Sequence, residues 1–331
     1  MVSASLLFLI SAIAMGFAGW GLVRATDVVV ERTGLGRAFL GMMLVATITS
    51  LPELATGLGA VTIAHSPDIA VGAVVGSCVF NLLLFTFADS LARKVAFYGR
   101  LRLSHNLTAS FGVILLGLLA LSVLVPGAAR LAIGHVGLYS VLLAALYFIG
   151  ARLLYAVDVS IAPDAEYAPE EPSLSMRSAL LRCGVSGAIV VFAGIGLAIS
   201  SDALAAELGL TETFVGVLLV AAATSAPELV TVWAAVRLQS YDLAAGNLLG
   251  SNLFNMVLIV VYDAAFLDGP VLAAASEILA ITALIAMVMT AVAVATLNYV
   301  RRTEPHAVDF WAGACLIALY LFNAWLLFQA R

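Results

Sequence analysis

Long, unbroken apolar runs separated by short polar breaks set the pattern of this chain. Ten of them, at approximately 3–23, 36–64, 69–91, 107–125, 131–155, 183–201, 211–237, 243–266, 270–297 and 307–329, approach or exceed the roughly 20 residues that one helical crossing of a bilayer requires. The pattern predicts an all-α integral membrane protein with ten transmembrane helices. The first run, from Ser3 to about Val23, lacks a positively charged leader and is long enough to span, so it is expected to be the first helix and not a signal peptide. The longest polar stretch, "DVSIAPDAEYAPEEPSLSMR", lies between the fifth and sixth runs and reads as a hydrated linker. The expected organisation is a five-helix unit over 1–155, a linker over 156–182 and a second five-helix unit over 183–331, with no room among them for a large soluble domain.

Composition agrees with lipid as the solvent: 63% of the 331 residues are hydrophobic, 11% are charged, and the mean hydropathy is +1.11. The formal charge of −5 and a single lysine, Lys94, leave no basic cluster for nucleic acid. Cys78, Cys183 and Cys315 are far apart and odd in number, which argues against a disulfide framework or a CxxC metal site. Where the positive charges fall changes the picture more. Arg24, Arg32, Arg37, Arg93, Lys94, Arg100, Arg102, Arg152, Arg177, Arg182, Arg237, Arg301 and Arg302 lie on the linker side of the ten-helix layout, and only Arg130 and Arg331 on the other. The linker is therefore expected in the cytoplasm and both termini outside an inner (cell) membrane. Five helices per half also means that any repeat between the halves is inverted relative to the membrane, a transporter signature.

The repeat is present. A shift of 175 residues lays "GMMLVATITSLPELATGLGAV" (41–61) on "GVLLVAAATSAPELVTVWAAV" (216–236), and "DIAVGAVVGSCVFN" (68–81) falls on "DLAAGNLLGSNLFN" (242–255) after a one-residue difference. Coincident Thr, Ser, Pro, Glu, Asp, Gly and Asn carry this match, because such residues are scarce in apolar spans. Pro52 and Pro227 are each followed by a glutamate at the centre of a span. A proline inside a helix removes one hydrogen bond and costs about 3 kcal/mol, and in lipid the freed backbone is tolerated only where something else satisfies it. Broken helices are expected there, exposing carbonyls around Ala46–Thr49 and Ala221–Thr224. Helical spacing puts Thr49, Glu53 and Thr56 on one face, repeated by Thr224, Glu228 and Thr231; Ser77 with Asn81, and Ser251 with Asn255, add oxygens four apart in the next helix.

All these groups are hard oxygens. Two carboxylates among neutral oxygens suit Ca²⁺, which takes 6–8 oxygen ligands in flexible geometry, and can be shared with Na⁺; Mg²⁺, with its strict octahedron and reluctant dehydration, fits less well. Serine and threonine in membrane helices ordinarily bond back to their own helix. A glutamate at the bilayer centre costs roughly 2.5 kcal/mol or more, however, and one at the same depth in each half marks a functional site.

At these residues the chain resembles the sodium/calcium exchanger family of cation/Ca²⁺ antiporters, whose inverted repeats carry GTSxPE and GNxxGSNxF[ND] motifs. The resemblance implies a secondary antiporter that exchanges Na⁺ for Ca²⁺ by alternating access, with no cofactor and no obligate protein partner. It implies Glu53 and Glu228 as central ligands, with Thr49, Ser50, Ser77 and Asn81 from one repeat and Thr224, Ser225, Ser251 and Asn255 from the other. Backbone carbonyls of Ala46 and Ala221 complete flanking sodium positions, and helices 3–23 and 183–201 slide as a gating pair. This chain departs from the motifs at Ile48 and Ala223, where the family has glycine, and at Ala73 and Cys78, where asparagine is usual. With asparagine at both 81 and 255, two carboxylates remain. H⁺/Ca²⁺ exchange at the same glutamates is the alternative; a cation channel could use the same oxygens, and no nucleophile–base pair suggests an enzyme. His65, His105, His135 and His306 are expected at membrane interfaces, and Asp202, Glu207, Glu212, Asp263 and Asp268 on the outer surface.

The orientation is open to a direct test. With the native cysteines replaced, a single cysteine at position 166 should stay unlabelled when intact cells meet a membrane-impermeant thiol reagent. Rapid labelling there would overturn the orientation.

Overall fold

The computed structural model describes residues 4–33, 46–92, 97–102, 104–161, 175–300 and 306–330. Its main helices are α1 (Ala4–Thr33), α2 (Leu51–Gly59), α3 (Pro67–Ala92), α4 (Ser104–Leu124), α5 (Leu138–Ile161), α6 (Met176–Leu208), α7 (Ala221–Thr224), α8 (Ala226–Arg237), α9 (Tyr241–Ala265), α10 (Ile278–Val300) and α11 (His306–Gln329). Wider π-helical turns follow α2 at Ala60–Ala64 and precede α7 at Val215–Val220. Among the described residues, eight helices are long and apolar enough to cross a bilayer, and nine if Glu212–Thr224 with Ala226–Arg237, bent by 44°, is one span. The remaining expected span, 36–64, starts in residues outside those described, as do residues 162–174 of the expected 156–182 linker, whose flanks at 156–161 and 176–182 continue α5 and α6.

Three boundaries differ from the sequence reading, each for a local reason. The expected span at 131–155 begins later, because residues 132–137 form a small antiparallel hairpin, the only strands among the described residues, turning at Gly134 with φ +67°. The expected span at 270–297 is interrupted after a short helix at Val271–Ala274, where the Ser276 N–H is given to Asp68 instead of to a helix. Helix α6 outruns its apolar centre at 183–201, since the Ser175 hydroxyl caps its start and Gly209, in the left-handed region, ends it.

Helices α3 and α9 form the middle of the molecule: 83% and 72% of their most apolar stretches are buried, against 28–50% for the other six long helices. They carry the second motif of each repeat. Close approach to the opposite half is possible because Gly76 has no side chain; a Cβ there would collide with the backbone of Val217 and the methyl of Ala221. The large core around α3 and α9 is accompanied by a small separate one, in which Met15, Ala18 and Leu22 of α1 meet Val190, Ala193 and Leu197 of α6. Ile48 and Ala223, the two positions where the family's glycine is missing, pack against this second core.

Two aspartates tie the repeats together at opposite ends of the bundle. Asp68, at the start of α3, accepts from Thr213 Oγ1 (3.0 Å) and from the Ser276 N–H (2.6 Å). Asp242, at the start of α9, accepts from the Arg102 N–H (2.8 Å), contacts Arg102 Nε (3.2 Å) and lies 3.0 Å from His105 Nε2. Asp68 and Asp242, and likewise Arg102 and Ser276, are separated by the same 174 positions, so each half's aspartate receives the equivalent N–H of the other half. His105 is thereby buried, 3% exposed, at the start of α4.

Asp263 was expected among surface acids but is wholly buried at the end of α9. Its carboxylate accepts from Tyr139 Oη (2.5 Å), Ser140 Oγ (2.6 Å) and the N–H groups of Gly137 and Val271 (both 2.7 Å). Four donors replace the water it lost, and they bind the hairpin and the Val271 turn to one carboxylate. Glu212, also expected on the surface, accepts a hydrogen bond from Ser66. Asp202, Glu207 and Asp268 are exposed as expected.

Removing the buried carboxylate strands four donors at once, and hydrogen bonds to charged groups contribute about 1.5–3 kcal/mol each. Asp263→Ala should therefore lower the apparent Tm of detergent-purified protein by several degrees more than Asp268→Ala. Equal melting temperatures would show that this knot contributes nothing.

Candidate ion-binding site

The helix breaks take the same form in both halves. Ser50 (φ −88°, ψ 7°) and Ser225 (φ −82°, ψ 13°) leave the helical region, and the proline falls in the first turn of the helix that follows, where a missing N–H does no harm. The chain still closes a turn across each break: Ser50 N–H reaches the Ala46 carbonyl at 3.1 Å, and Ser225 N–H reaches that of Ala221 at 2.9 Å. Those two carbonyls also lie 3.1 Å from Thr49 Oγ1 and 3.3 Å from Thr224 Oγ1. Both are thus engaged within their own turns and not bare, as the sequence reading had expected of the freed backbone.

Each break delivers its glutamate to the interior, Glu53 at 1% and Glu228 at 0% exposure. Ser77 Oγ donates to Glu53 Oε1 at 3.1 Å, and Ser225 Oγ, from the other half, donates to the same oxygen at 3.3 Å. Ser251 Oγ donates to Glu228 Oε1 at 3.3 Å and lies 3.2 Å from Thr49 Oγ1 of the first half. Thr224 Oγ1 lies 3.5 Å from Ser77 Oγ. Serines and threonines of both repeats therefore meet around both carboxylates, although 147 to 202 residues separate the cross-repeat partners.

Several buried atoms in this network have no hydrogen-bond partner among the described residues: Glu53 Oε2, Glu228 Oε2, Ser50 Oγ, Asn81 Oδ1 and Asn255 Oδ1. Four of the five are pure acceptors. Buried acceptors without a donor are costly, and buried carboxylates more so. No arginine, lysine or histidine of the described residues forms an ion pair with either glutamate. A donor set of two carboxylates, carboxamide oxygens and hydroxyls fits a hard cation as the missing partner. It does not fit a transition metal, and no group of three His, Cys, Asp or Glu able to hold one occurs among the described residues.

Thr56 and Thr231, read as equivalent, are not used alike: Thr231 Oγ1 bonds back to the Pro227 carbonyl at 2.9 Å, while Thr56 Oγ1 has no partner. Four residues outside the expected ligand set belong to the network. Asn247 Oδ1 lies 3.2 Å from Thr49 Oγ1; Asn252 and Cys78 contact Asn81 and Asn255; and Tyr262 Oη donates to the Glu53 carbonyl at 2.8 Å. Asn247 was legible as the residue four before Ser251 on the same face. Tyr262 was not, because its phenol reaches α2 across a position, Gly57, where any side chain would collide with its ring.

Residues 3–155 and 178–329 match the protein family described as sodium/calcium exchanger protein, one match to each half. The inner membrane protein YrbG of Escherichia coli (strain K12) is 27% identical over 272 residues, 82% of either chain. Among solved structures, the H⁺/Ca²⁺ exchanger CAX superposes with a TM-score of 0.67 at 14% identity, covering 99% of this chain and 89% of that one. The sodium-calcium exchanger NCX_Mj superposes with a TM-score of 0.61 at 21% identity, covering 96% of each. At these identities the superpositions establish the fold, while the paired match over both halves establishes the lineage: this chain belongs to the sodium/calcium exchanger family, a family of membrane antiporters and not of enzymes.

Proposed function

We propose that this chain exchanges Na⁺ for Ca²⁺ across an inner (cell) membrane by alternating access. One observation carries the reading: two buried carboxylates without a cationic partner are surrounded by hydroxyl and carboxamide oxygens drawn from both repeats. In the proposed ion-bound state Glu53 and Glu228 neutralise one Ca²⁺, with Thr49, Ser50, Ser77, Asn81, Thr224, Ser225, Ser251 and Asn255 as neutral ligands. Carbonyls of Ala46 and Ala221 serve flanking sodium ions once the threonine hydroxyls turn away from them. The proposed units are 1–155 and 183–331, inverted with respect to each other, joined by a cytoplasmic linker over 156–182, with both termini outside. Helices α1 and α6 are the proposed moving pair. Their separate hydrophobic core supports this, because a pair packed mainly on itself can shift while keeping its own contacts.

Exchange of H⁺ for Ca²⁺ is the second reading. Two protons would compensate two carboxylates as well as sodium ions do, and the fold is shared with a protein named as an H⁺/Ca²⁺ exchanger. The hydroxyl ring favours sodium, since a proton needs only the carboxylates.

Two measurements decide the matter. Glu53→Gln or Glu228→Gln preserves shape but removes a charge facing a divalent ion in a low-dielectric site, so ⁴⁵Ca²⁺ transport should fall by about a hundredfold or more. Glu207→Gln, on the exposed surface, should transport as wild type. Near-normal flux in both central variants would rule the site out.

Sodium-loaded liposomes diluted into sodium-free buffer at equal pH should accumulate ⁴⁵Ca²⁺, and acid on both sides should inhibit by protonating the carboxylates. Uptake that follows an imposed pH gradient and ignores sodium would establish proton exchange; uptake needing no counter-ion would mean a channel.

A further inference from the structure

Behind the carboxylates, four side chains of α3 and α9 form a ring across the two repeats: Cys78, Asn81, Asn252 and Asn255, all at most 4% exposed. Asn81 Nδ2 donates to Asn252 Oδ1 at 3.0 Å, and Asn252 Nδ2 donates to the Cys78 carbonyl at 3.1 Å. The 174-residue offset that relates the halves makes Asn255 the counterpart of Asn81, and Cys78 the counterpart of Asn252. On that side the contacts are longer and softer: Asn255 Nδ2 lies 3.7 Å from Cys78 Sγ, and the thiol lies 3.9 Å from the Asn252 carbonyl.

The donors and acceptors settle which way each amide points. A backbone carbonyl only accepts, so Asn252 must turn its NH₂ group to Cys78 and its oxygen to Asn81. Asn81 must then present its own NH₂ to that oxygen, which leaves Asn81 Oδ1 without a protein partner, facing away from Asn252. The same outcome at Asn255, whose Oδ1 is also unpartnered, depends on a sulfur atom. A thiol is a weak acceptor and a weak donor, so it holds either end of the carboxamide nearly equally well. A reversed Asn255 would direct its NH₂ group, and its partial positive charge, at a bound cation.

We propose that Asn252 and Cys78 are positioning residues that decide which end of Asn81 and of Asn255 faces the ion, Asn252 holding its partner firmly and Cys78 loosely. This rests on the ion site proposed above and deepens it: the second repeat's carboxamide is the adjustable ligand, and Cys78 sets calcium affinity through it without touching the ion.

A double-mutant cycle on purified protein, read as equilibrium ⁴⁵Ca²⁺ binding, tests it. Cys78→Ala deprives the Asn255 amide of its acceptor, and the Kd should rise about three- to tenfold, the effect of one hydrogen bond. Cys78→Ser supplies a better acceptor in nearly the same volume, so the Kd should equal or fall below that of wild type. Asn255→Asp presents an oxygen in either orientation, and in that background Cys78→Ala should change the Kd by less than about twofold. An equal loss in both backgrounds would show that Cys78 acts through packing alone and overturn the proposal, as would no loss in the Asn255 background or weaker binding in Cys78→Ser. Glu53→Gln and Glu228→Gln, measured alongside, separate the two failures. If calcium binding survives both, the ion site itself is wrong and the positioning falls with it; if binding needs the glutamates but the cycle is additive, only the positioning falls.

Discussion

Two carboxylates buried without a cationic partner are the constraint to which the rest of this structure answers. An acid in the middle of a bilayer is tolerated only where its charge is neutralised or its oxygens are met by donors. Here one oxygen of each glutamate is met by serine hydroxyls and the other by nothing among the described residues. A fold that sought only stability would have placed an arginine or a further hydroxyl there. Instead the helices are broken at Ser50 and Ser225 so that glutamate, serine and threonine converge from both halves, and the unmet coordination is what the proposed ion site would use.

Duplication explains how so small a set of residues accomplishes this. Each half supplies a broken helix and a helix rich in small and polar residues, and four contacts tie these to the other half: Ser225 to Glu53, Thr49 to Ser251, Asp68 to Ser276 and Asp242 to Arg102. The motif glycine at 76 allows the halves to approach until backbone meets backbone. Departures from symmetry are correspondingly informative. His105 joins the latch at Asp242 but has no histidine counterpart at Leu279, and the sulfur of Cys78 stands where the other repeat has an amide. Ile48 and Ala223 place a branched side chain and a methyl group, where the family has glycine, against the small core between α1 and α6. Their substitution for glycine thus alters the packing surface under that pair more than the ion ligands themselves.

Much of this was legible in the sequence, for physical reasons that can be named. Apolar length reports crossings because lipid leaves backbone groups no alternative to the helix. Repeated Pro–Glu pairs report a site because both residues are unfavourable in a membrane helix unless used. Glu53, Glu228 and the hydroxyls around them were found in this way. What failed was whatever depended on partners far along the chain. Asp263, near the end of the expected 243–266 span, reads as a surface acid as Asp268 does; only the return of the hairpin and of Val271 onto it makes it a buried anchor. His105 at a helix start gives no sign of burial until Asp242, 137 residues away, is brought against it. The start of the 131–155 span was misjudged because the apolar residues of 132–137 continue the hydrophobic run, while Gly134, at φ +67°, turns the chain into a hairpin.

The sequence by itself therefore determined the solvent, the helical class, the duplication and the chemical character of the site, since each follows from residue type, spacing and the cost of polarity in lipid. The tertiary structure alone decided which oxygens are satisfied and which are left over. Whether Asn81 and Asn255 offer oxygen or nitrogen depends on the donor or acceptor at the other end of each amide, and those lie on a helix from the opposite half of the chain. Hydrogen-bond satisfaction is a property of three-dimensional neighbours, and no spacing along one helix encodes it.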